Sequence, residues 1–329
     1  MRILIVKLSS LGDIVHALPV VADLRAAHPG VVIDWVAEPS FAPLLERTAG
    51  IAEIIACPLR RWTKTGLWRP AVVAEIRAFV RRLRRDPYDA VVDLQGLSKS
   101  AVIAKLARGP SFGLANRTDG ASHEWPARRL ATTAIHVEPH SHALDRSREL
   151  VAKALGTRID VPPSFGLSPR ALPKSSDVRT IVFIHGSSRA DKLWPEANWV
   201  ELGRRLVGSG FRIALPQADV GERERAVRVA AAIGAADCEV WPTLPLAEFI
   251  DRLAATDGAV GVDSGPSHIA TALGLPHVQI YNFATSWRTG PQARHGARQQ
   301  VAVEGEPTPT VDAVWAAWQR VAAITSAPP

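Results

Sequence analysis

Three loops of the sequence combine glycines, hydroxyl groups and charged side chains in patterns that suit the binding and transfer of a phosphorylated group. The first loop, residues 7–13, contains Gly12 and then Asp13 at the predicted start of a helix. Gly12 permits close approach between the backbone and a ligand, and Asp13 is a candidate general base. A carboxylate at a helix start also caps free amides, so the position alone leaves both roles open.

The second loop, residues 185–195, follows the first predicted strand of the second half of the chain. Its Gly186-Ser187-Ser188 turn offers hydroxyl groups and amides, and Lys192 adds a positive charge, a combination that suits a phosphate. A polar loop with a solvated lysine is the structural alternative. The loop is not a P-loop, because the Gly-x4-Gly-Lys-Ser/Thr spacing is missing.

The third loop lies between a predicted strand and an apolar helix predicted over Ile269–Leu273. It reads Val262-Asp263-Ser264-Gly265-Pro266-Ser267-His268. A glycine turn, two serine hydroxyls and a histidine at a helix N-terminus favour an anion site. A helix cap alone would need only Asp263 or Ser264, so the surplus of polar groups favours a functional role.

Residues 60–85 form the most basic segment, with nine Arg or Lys and one Glu, a net charge of +8. Such a surface attracts anionic lipid headgroups, phosphorylated ligands or nucleic acid. Arg77, Arg81 and Arg85 have helical spacing and are typical of a solvated helix face. Residues 60–64 precede that helix and are the better ligand candidates. No aromatic residues alternate with them as in an RNA-binding sheet, so nucleic acid is not expected as a partner.

Spacing argues against several other chemistries. No Gly-x-Gly-x-x-Gly follows a strand, which disfavours a dinucleotide-dependent oxidoreductase. The sequence also contains no Asp-x-Asp pair of the kind that holds a diphosphate through a metal ion. Lys192 and a helix N-terminus would have to bind the diphosphate instead.

The elements that position these loops are predicted by short apolar runs that alternate with longer helical patterns, which indicates βα units on parallel sheets. We expect strands at Arg2–Lys7, Val31–Val36, Ala90–Leu94, Thr180–Ile184, Phe211–Leu215, Ala259–Val262 and His277–Tyr281. The three loops follow the first, fourth and sixth of these strands. Ligands of doubly wound sheets bind at the carboxyl ends of the strands, so the loops are well placed to form a site.

At 329 residues the chain is longer than one hydrophobic core usually supports, which favours two domains of about 150 residues each. A stretch rich in proline and serine separates the two groups of strands. We predict a first domain over residues 1–165, a linker over 166–178, a second domain over 179–308 and a terminal helix within 309–329. A cleft between the carboxyl ends of the two sheets is expected.

The composition is that of a globular protein, with 47% hydrophobic and 22% charged residues and a net charge of +7. Cys57 and Cys238 are the only cysteines, which disfavours a disulfide framework or a zinc site and favours a reducing cytoplasm. Lys7 and Asp13 interrupt the apolar N-terminal run, so a strand is predicted there instead of a signal peptide. No apolar run reaches the length of about 18 residues that a membrane span needs.

The chain resembles the lipopolysaccharide heptosyltransferases of glycosyltransferase family 9 over essentially its whole length, and within them the heptosyltransferase I branch. Five segments carry the resemblance: Val6-Lys7-Leu8-Ser9-Ser10-Leu11-Gly12-Asp13, Arg60-Arg61-Trp62, Tyr88-Asp89-Ala90-Val91-Val92-Asp93-Leu94-Gln95-Gly96-Leu97, Asp191-Lys192-Leu193-Trp194-Pro195 and Asp263-Ser264-Gly265-Pro266-Ser267-His268. Each segment alone is weak evidence for the family, but the order and spacing of all five are specific for it.

The resemblance implies a GT-B fold, in which two Rossmann-like doubly wound domains face a central cleft and the C-terminal helix packs back on the first domain. It also implies an inverting transfer of L-glycero-D-manno-heptose from ADP-heptose to the 5-hydroxyl of the inner Kdo of Kdo2-lipid A, without a metal or other cofactor. The expected setting is the cytoplasmic face of the inner membrane of a Gram-negative bacterium. There a monomer would bind an anionic membrane surface.

By the same resemblance, Asp13 is the catalytic base and Lys192 a donor-phosphate contact that assists catalysis. The other implied donor-binding residues are Ser187, Ser188, Glu222, Leu244, Asp263, Ser264, Gly265, Pro266, Ser267 and His268. Glu222 would contact the donor sugar, and backbone groups at Leu244 would meet the adenine. The implied acceptor-binding residues are Ser10, Gly12, Arg60, Arg61 and Lys64.

Two departures from the heptosyltransferase I pattern leave alternatives open. Pro266 replaces the usual Leu, as in heptosyltransferase II, and Tyr281-Asn282-Phe283 replaces the usual Tyr-Gly-Pro. A heptosyltransferase II or another family member with a different acceptor is therefore one alternative. The others are a sugar-nucleotide epimerase on the same fold and a non-catalytic nucleotide-binding module that docks on membranes.

Overall fold

The computed structural model describes residues 1–121, 123–159, 161–172, 178–296 and 299–326, with side chains described as far as residue 323. The chain forms two compact units, Met1–Ser168 and Pro169–Pro329. Each unit contains a six-stranded sheet, and all of the strand pairs in both sheets are parallel. The structure therefore confirms the predicted α/β class with two doubly wound domains.

Unit 1 is a Rossmann-like domain. Its elements are β1 (Arg2–Val6), α1 (Leu11–Ala17), α2 (Pro19–Ala27), β2 (Val32–Ala37), α3 (Ala42–Glu46), β3 (Glu53–Ala56), α4 (Leu59–Thr65), α5 (Pro70–Leu83), β4 (Ala90–Asp93), α6 (Ser98–Leu106), β5 (Ser111–Leu114), α7 (Trp125–Leu130), β6 (Thr133–Ile135) and α8 (Ala143–Leu155). The strand order is β3-β2-β1-β4-β5-β6. Successive strands are added toward one edge from β1 to β3 and toward the other edge from β4 to β6, so the order changes between β1 and β4. Val6 is in register with Val36 and Asp93, so the loops after β1 and β4 begin side by side at this switch point.

Unit 2 repeats this arrangement. Its elements are β7 (Thr180–Ile184), α9 (Glu196–Gly208), β8 (Arg212–Leu215), α10 (Val220–Ile233), β9 (Cys238–Val240), α11 (Leu246–Ala254), β10 (Gly258–Val262), α12 (Gly265–Ala272), β11 (His277–Tyr281), α13 (Ser286–Thr289), β12 (Gln300–Glu304) and α14 (Val311–Ser326). The strand order is β12-β11-β10-β7-β8-β9, with the reversal between β7 and β10. Gly261 is in register with Ile184, so the loop after β7 and the loop after β10 also begin beside each other.

Helix α14 belongs to the core of unit 2. It packs against β11, β12 and α9. Its side chains Val314, Ala317, Trp318 and Val321 lie in the same buried cluster as the central strands of that unit. The structure thus assigns the apolar face of this helix to unit 2. Its packing on the first domain, which the family resemblance implies, stays a prediction.

The segment that the sequence assigns to the linker begins inside unit 1. The amide of Ala49 donates to the carbonyl of Gly166 at 2.9 Å, and the amide of Ser168 donates to the carbonyl of Arg47 at 2.7 Å. These bonds extend unit 1 to Ser168. Residues 173–177 of the predicted linker lie outside the described part of the chain.

All seven predicted strands are present, with ends that shift by at most one residue. Their apolar runs are continuous because a central parallel strand is buried on both faces. The sequence misses the five flanking strands β3, β5, β6, β9 and β12. These are short or half-exposed, so the apolar runs within them are at most three residues long.

Three predicted helical features need correction. The spacing of Ile14, Val15, Leu18 and Val21 predicts one helix after β1, but the helix is split, because Pro19 begins a second one. Residues 60–64 do not simply precede a helix but form α4 themselves. Helix α5 ends at Leu83, so Arg85 lies beyond it and forms an ion pair with Glu53 at 3.2 Å. No helix in the described residues is both long and apolar enough to cross a bilayer.

Candidate active site

Asp13 lies in the first turn of α1, directly after the loop that follows β1. Its Oδ2 accepts hydrogen bonds from the backbone amide of Ser10 at 3.1 Å and from the Ser10 hydroxyl at 2.7 Å. Among the described residues, no hydrogen bond reaches its other oxygen, Oδ1, and the side chain is partly exposed. Asp13 therefore caps its helix and still presents one free carboxylate oxygen.

Buried basic side chains stabilise the ionised form of Asp13. Burial raises the pKa of this carboxyl, but the charge of Lys7 and the hydrogen bonds from Ser10 lower it more. The charge of Arg146 acts in the same direction, so the net pKa of Asp13 lies below its usual value. The ammonium of Lys7 is buried and donates to the carbonyl of Leu94 at 3.0 Å. Asp13 is therefore ionised at neutral pH, as a general base must be.

The loop after β4 supports the loop after β1. Gln95 Oε1 accepts hydrogen bonds from the amides of Leu8 at 3.0 Å and Ser9 at 3.2 Å. The buried carboxylate of Asp93 accepts from the Gln95 amide and the Ser100 hydroxyl, both at 2.9 Å. Burial raises the pKa of Asp93 to about 6. The sequence assigns no role to Asp93 or Gln95, although polar residues at the end of a central strand are a signal for one.

The other predicted acceptor-side residues divide between α1 and α4. Gly12 is the second residue of α1 and does not have a positive φ, so the helix itself does not require glycine there. The amide of Arg60 donates to Glu38 Oε1 at 2.9 Å, and the amide of Glu38 donates to the carbonyl of Leu8 at 3.1 Å. Glu38 therefore links the start of α4 to the loop that carries Ser10.

The basic side chains of α4 differ in how freely they can bind an anionic ligand. Arg61 forms an ion pair with Glu75, which also accepts a hydrogen bond from Trp62 Nε1 at 2.7 Å. Arg60 lies over the ring of Phe41. Lys64 is exposed and makes no ion pair within the described residues. An anionic ligand would find Lys64 free and would have to compete with Glu75 for Arg61.

In unit 2, Lys192, Asp263 and His268 form one cluster at the end of β10. Lys192 Nζ lies 2.5 Å from Asp263 Oδ2, and His268 Nε2 lies 3.3 Å from Asp263 Oδ1. Gln279 Nε2 donates to His268 Nδ1 at 3.3 Å, which leaves the proton on His268 Nε2 for Asp263. Burial raises the pKa of Asp263, but His268 and Lys192 lower it more, and the net value lies well below the usual range. Asp263 is thus a fixed anion that orients two donors.

Helix α12 begins at Gly265, four residues before the apolar helix that the sequence predicts from Ile269. Residues 265–268 are therefore the first helical turn and not a preceding loop. Ser264 is the N-cap residue, and its hydroxyl is buried with no hydrogen-bond partner in the described part of the chain. A buried hydroxyl without a partner is unfavourable unless a ligand or water satisfies it.

The first turn of α12 also offers amide donors. The first amides of a helix have no partner within the helix. Pro266 has no N–H group, and the hydroxyl of Ser267 already donates to the carbonyl of Val262 at 2.6 Å. The hydroxyl of Ser264 and the amides of Gly265 and Ser267 therefore remain as donors for an anion, beside the Lys192 cluster.

Glu222 lies in the first turn of α10, and its carboxylate contacts Gly186 in the loop after β7. A Cβ at Gly186 would lie 1.9 Å from Glu222 Oε1, so a larger residue there would displace the Glu222 carboxylate from its present position. Glu222 Oε2 accepts a hydrogen bond from the Ala218 amide at 2.8 Å, and burial raises the pKa of Glu222. The structure thus brings the predicted sugar contact beside Ser187 and Ser188, the predicted phosphate contacts.

Asn282 holds the turn that carries Lys192. Its Nδ2 donates to the carbonyls of Asp191 at 2.9 Å and Leu193 at 3.0 Å, on either side of Lys192. Its Oδ1 accepts from the Thr308 hydroxyl at 2.7 Å. In the sequence Asn282 is only a departure from the family pattern. Its position directly after a strand is the one signal that points to a role.

Leu244 lies elsewhere in unit 2. It lines a cavity of about 560 Å³ together with Trp241 and Arg252, and no other predicted donor-site residue lines this cavity. The structure therefore does not join Leu244 to the Lys192 cluster through this cavity. A contact between its backbone and adenine stays a prediction.

The chain matches the family model described as "Glycosyltransferase family 9 (heptosyltransferase)" over residues 76–313. It is 38% identical to lipopolysaccharide heptosyltransferase 1 of Escherichia coli K12 over 285 residues, which covers 85% of this chain and 88% of that protein. Identity to lipopolysaccharide heptosyltransferase 1 of Pseudomonas aeruginosa is 37% over 299 residues, 89% of this chain and 82% of that protein. Identity to lipopolysaccharide heptosyltransferase 2 of E. coli K12 is lower, at 25% over 317 residues, 91% of this chain and 87% of that protein.

Comparison with solved structures shows that the fold of this chain is also similar to that of a heptosyltransferase. The structure of E. coli heptosyltransferase WaaC with ADP matches 98% of this chain and 100% of that chain with a TM-score of 0.86 and 33% identity. The structure of WaaC with ADP-2-deoxy-2-fluoro heptose matches 99% of each chain with a TM-score of 0.80 and the same identity. The two parallel sheets with alternating helices thus correspond to a GT-B fold.

Proposed function

The chain belongs to glycosyltransferase family 9, the heptosyltransferases, and from that premise we propose that it transfers L-glycero-D-manno-heptose from ADP-heptose to the 5-hydroxyl of the inner Kdo of Kdo2-lipid A. The protein is an enzyme of lipopolysaccharide inner-core biosynthesis. Its higher identity to heptosyltransferase 1 than to heptosyltransferase 2 supports this acceptor. A heptosyltransferase 2 activity remains the alternative, because Pro266 follows that pattern.

Asp13 is the proposed general base. Its free Oδ1 accepts the proton of the attacking hydroxyl while Oδ2 remains bonded to Ser10. The charge of Lys7 keeps the carboxylate ionised before the reaction. The activated oxygen then attacks the anomeric carbon on the face opposite ADP, and the configuration of that carbon inverts.

The donor diphosphate is proposed to bind at the start of α12. Negative charge builds on the β-phosphate as the bond to the sugar breaks, and fixed donors stabilise that charge where it develops. The available donors are Lys192, the hydroxyl of Ser264 and the amides of Gly265 and Ser267. Glu222, beside the Gly186 turn, would accept hydrogen bonds from sugar hydroxyls.

We propose that no metal ion takes part. The support is the absence of an Asp-x-Asp pair in the sequence, together with the ion pairs that Asp263 already makes to Lys192 and His268. A carboxylate that is satisfied by two cationic or N–H groups is a poor metal ligand. The ammonium and the helix N-terminus would supply the positive potential that a metal supplies elsewhere.

The acceptor is proposed to bind through unit 1 at the cytoplasmic face of the inner membrane. Kdo carboxylates and lipid A phosphates are anionic, and Arg60, Arg61 and Lys64 on α4 have the complementary charge. The link from Glu38 to Leu8 and to the Arg60 amide supports a common acceptor surface that includes Ser10 and Gly12. A monomer suffices for this proposal.

The observation that carries the proposed function is the Lys192–Asp263–His268 cluster at the N-terminus of α12, within a family that transfers heptose. The test is incubation of the protein with ADP-heptose and Kdo2-lipid A, with and without chelator. The amount of ADP released and the mass of the acceptor are then measured. We expect equal ADP release and a gain of one heptose under both conditions. ADP binding without transfer would favour a non-catalytic module, reaction without acceptor would favour an epimerase, and loss with chelator would contradict the metal-free mechanism.

A further inference from the structure

An apolar cavity of about 300 Å³ lies between α4, α5 and α6 in unit 1. Buried side chains of Trp62, Phe79 and Ile103 form its inner wall. Leu67 and Val102 also line it, and they are 48% and 46% exposed. The cavity is therefore open to solvent at a rim that is itself apolar. We call it the α4–α6 pocket.

The rim of the α4–α6 pocket exposes more apolar surface than folding requires. Trp68, next to Leu67 in the chain, is 83% exposed. Single exposed apolar residues are ordinary, but several around one apolar cavity mark a surface that another apolar body covers. Tryptophan is also enriched where proteins meet the interface of a membrane.

The lining of the pocket narrows the chemistry of its occupant. Of the described residues that line it, Lys99 alone carries a charged side chain, and the hydroxyl of Ser98 is the other strongly polar group. A peptide would lose hydration of its amides there without gaining partners, which is unfavourable. A hydrocarbon chain needs no hydrogen bonds. The volume lies at the lower end of the range for small-molecule sites, which suits one chain and not a bulky ring system.

The surroundings of the pocket are mainly cationic, and one acidic side chain, Glu124, accepts a hydrogen bond from the Ser98 amide at 2.8 Å beside Lys99. Lys99 stands at the pocket itself, and Lys64, Arg77 and Arg81 lie exposed on α4 and α5 without an ion pair to any described residue. An apolar cavity with a basic rim is complementary to a lipid whose chain is apolar and whose headgroup carries a phosphate.

We propose that the α4–α6 pocket binds one acyl chain of an anionic phospholipid of the membrane, with the lipid phosphate held by Lys99 and its basic neighbours. Leu67 and Trp68 then lie in the bilayer interface. This inference rests on the proposed action at a membrane surface, and it adds the place where the membrane is held. It does not depend on the identity of the donor or the acceptor sugar.

The test compares binding of the full-length protein to vesicles of phosphatidylcholine with and without phosphatidylglycerol, measured by flotation. Val102→Asp places a charge in the pocket, and Val227→Asp, at a residue 51% exposed on α10, is the matched control. Lys99→Glu is paired with Lys105→Glu, an exposed lysine of α6 that does not line the pocket. We expect Val102→Asp and Lys99→Glu each to weaken binding to phosphatidylglycerol vesicles at least about tenfold, and the controls to change it less than about twofold.

A second measurement locates the site on the protein where the acyl chain binds. Phosphatidylglycerol with a photoreactive acyl chain should label peptides from α4, α5 or α6 in the wild-type protein, and Val102→Asp should abolish that label. Equal binding by Val102→Asp and Val227→Asp, or labelling confined to other segments, overturns the proposal. Turnover of the wild-type protein on a water-soluble deacylated acceptor is measured in parallel, because it tests the proposed transferase function independently of any acyl chain.

Discussion

At the scale of single residues, the free oxygen of Asp13 defines the proposed chemistry, because it leaves an acceptor position open for the proton of the attacking hydroxyl. Asp13→Asn removes the base and can keep the bond from the Ser10 amide to the side-chain oxygen. We expect turnover to fall by about 10²- to 10⁴-fold. ADP-heptose affinity should stay within about twofold, measured by calorimetry, because the donor site is proposed in unit 2.

Asp312→Asn, at a side chain 82% exposed on α14, is the matched control for the same chemical change. Its turnover should equal that of the wild type, because an exposed ion pair contributes little. If Asp13→Asn retained near wild-type turnover, another group would have to be the base.

Lys7 sets the pH range in which Asp13 can act. Its charge lowers the pKa of Asp13, so replacing Lys7 by Met should raise that pKa. The fraction of ionised base at mildly acidic pH then falls. We expect the acidic limb of the kcat/KM profile to move to higher pH in Lys7→Met. Lys105→Met, on the surface of α6, should leave the profile unchanged, and an unshifted limb in Lys7→Met would contradict this electrostatic role.

At the scale of elements, the loop after β4 supports the catalytic loop through a buried carboxylate that resists ionisation. The pKa of Asp93 is raised to about 6 in the folded protein, above the value of about 4 of an unfolded Asp. A raised carboxyl pKa means that the contribution to stability is full below pH 4 and is lost as the pH rises through 6. The loss corresponds to about 3 kcal/mol in the free energy of unfolding.

Asp93→Asn cannot ionise and should lack this pH dependence. We expect the drop in the free energy of unfolding between pH 4 and pH 7, from denaturant titrations, to be about 3 kcal/mol smaller in Asp93→Asn than in the wild type. Equal pH dependence in the two proteins would show that Asp93 is not the group that titrates.

The end of β11 positions the Lys192 turn through Asn282. Asn282→Ala leaves the carbonyls of Asp191 and Leu193 without their donor, which destabilises the turn by about 1–3 kcal/mol. Because the turn carries a proposed donor contact, we expect the KM for ADP-heptose to rise at least about fivefold, with the acceptor KM changed much less. Asn198→Ala, at a partly exposed residue of α9, is the control and should change neither.

At the scale of the whole molecule, the net charge of +7 is concentrated in residues 60–85. This distribution predicts that the basic segment affects the binding of the anionic acceptor more than the binding of the donor. Reversing charge in Arg60→Glu, Arg61→Glu and Lys64→Glu should raise the KM for Kdo2-lipid A by about tenfold or more and leave the donor KM nearly unchanged. High salt should weaken acceptor binding by wild-type protein in the same way. Arg84→Glu, exposed after α5, is the control, and equal effects on both KM values would contradict an acceptor surface on α4.

The central strands could be predicted because burial on both faces requires continuous apolar runs, as in Arg2–Val6 and Thr180–Ile184. The flanking strand Cys238–Val240 could not, because a half-exposed strand of three residues has no distinctive pattern. The loops at the strand ends also indicated Asp13, Lys192 and the 263–268 segment as candidate site residues, since ligands of such sheets bind at the carboxyl ends of the strands.

The sequence by itself thus determined the fold class and the family and indicated candidate site residues, because these depend on local pattern and on the order of motifs. Only the tertiary structure decided how those residues are held. Lys7 and Gln95 are distant in sequence, and so are Lys192 and Asn282, yet the members of each pair serve the same loop or turn. Parallel strands bring them together through long crossovers, so the hydrogen bonds and pKa shifts between them exist only once the sheets have formed.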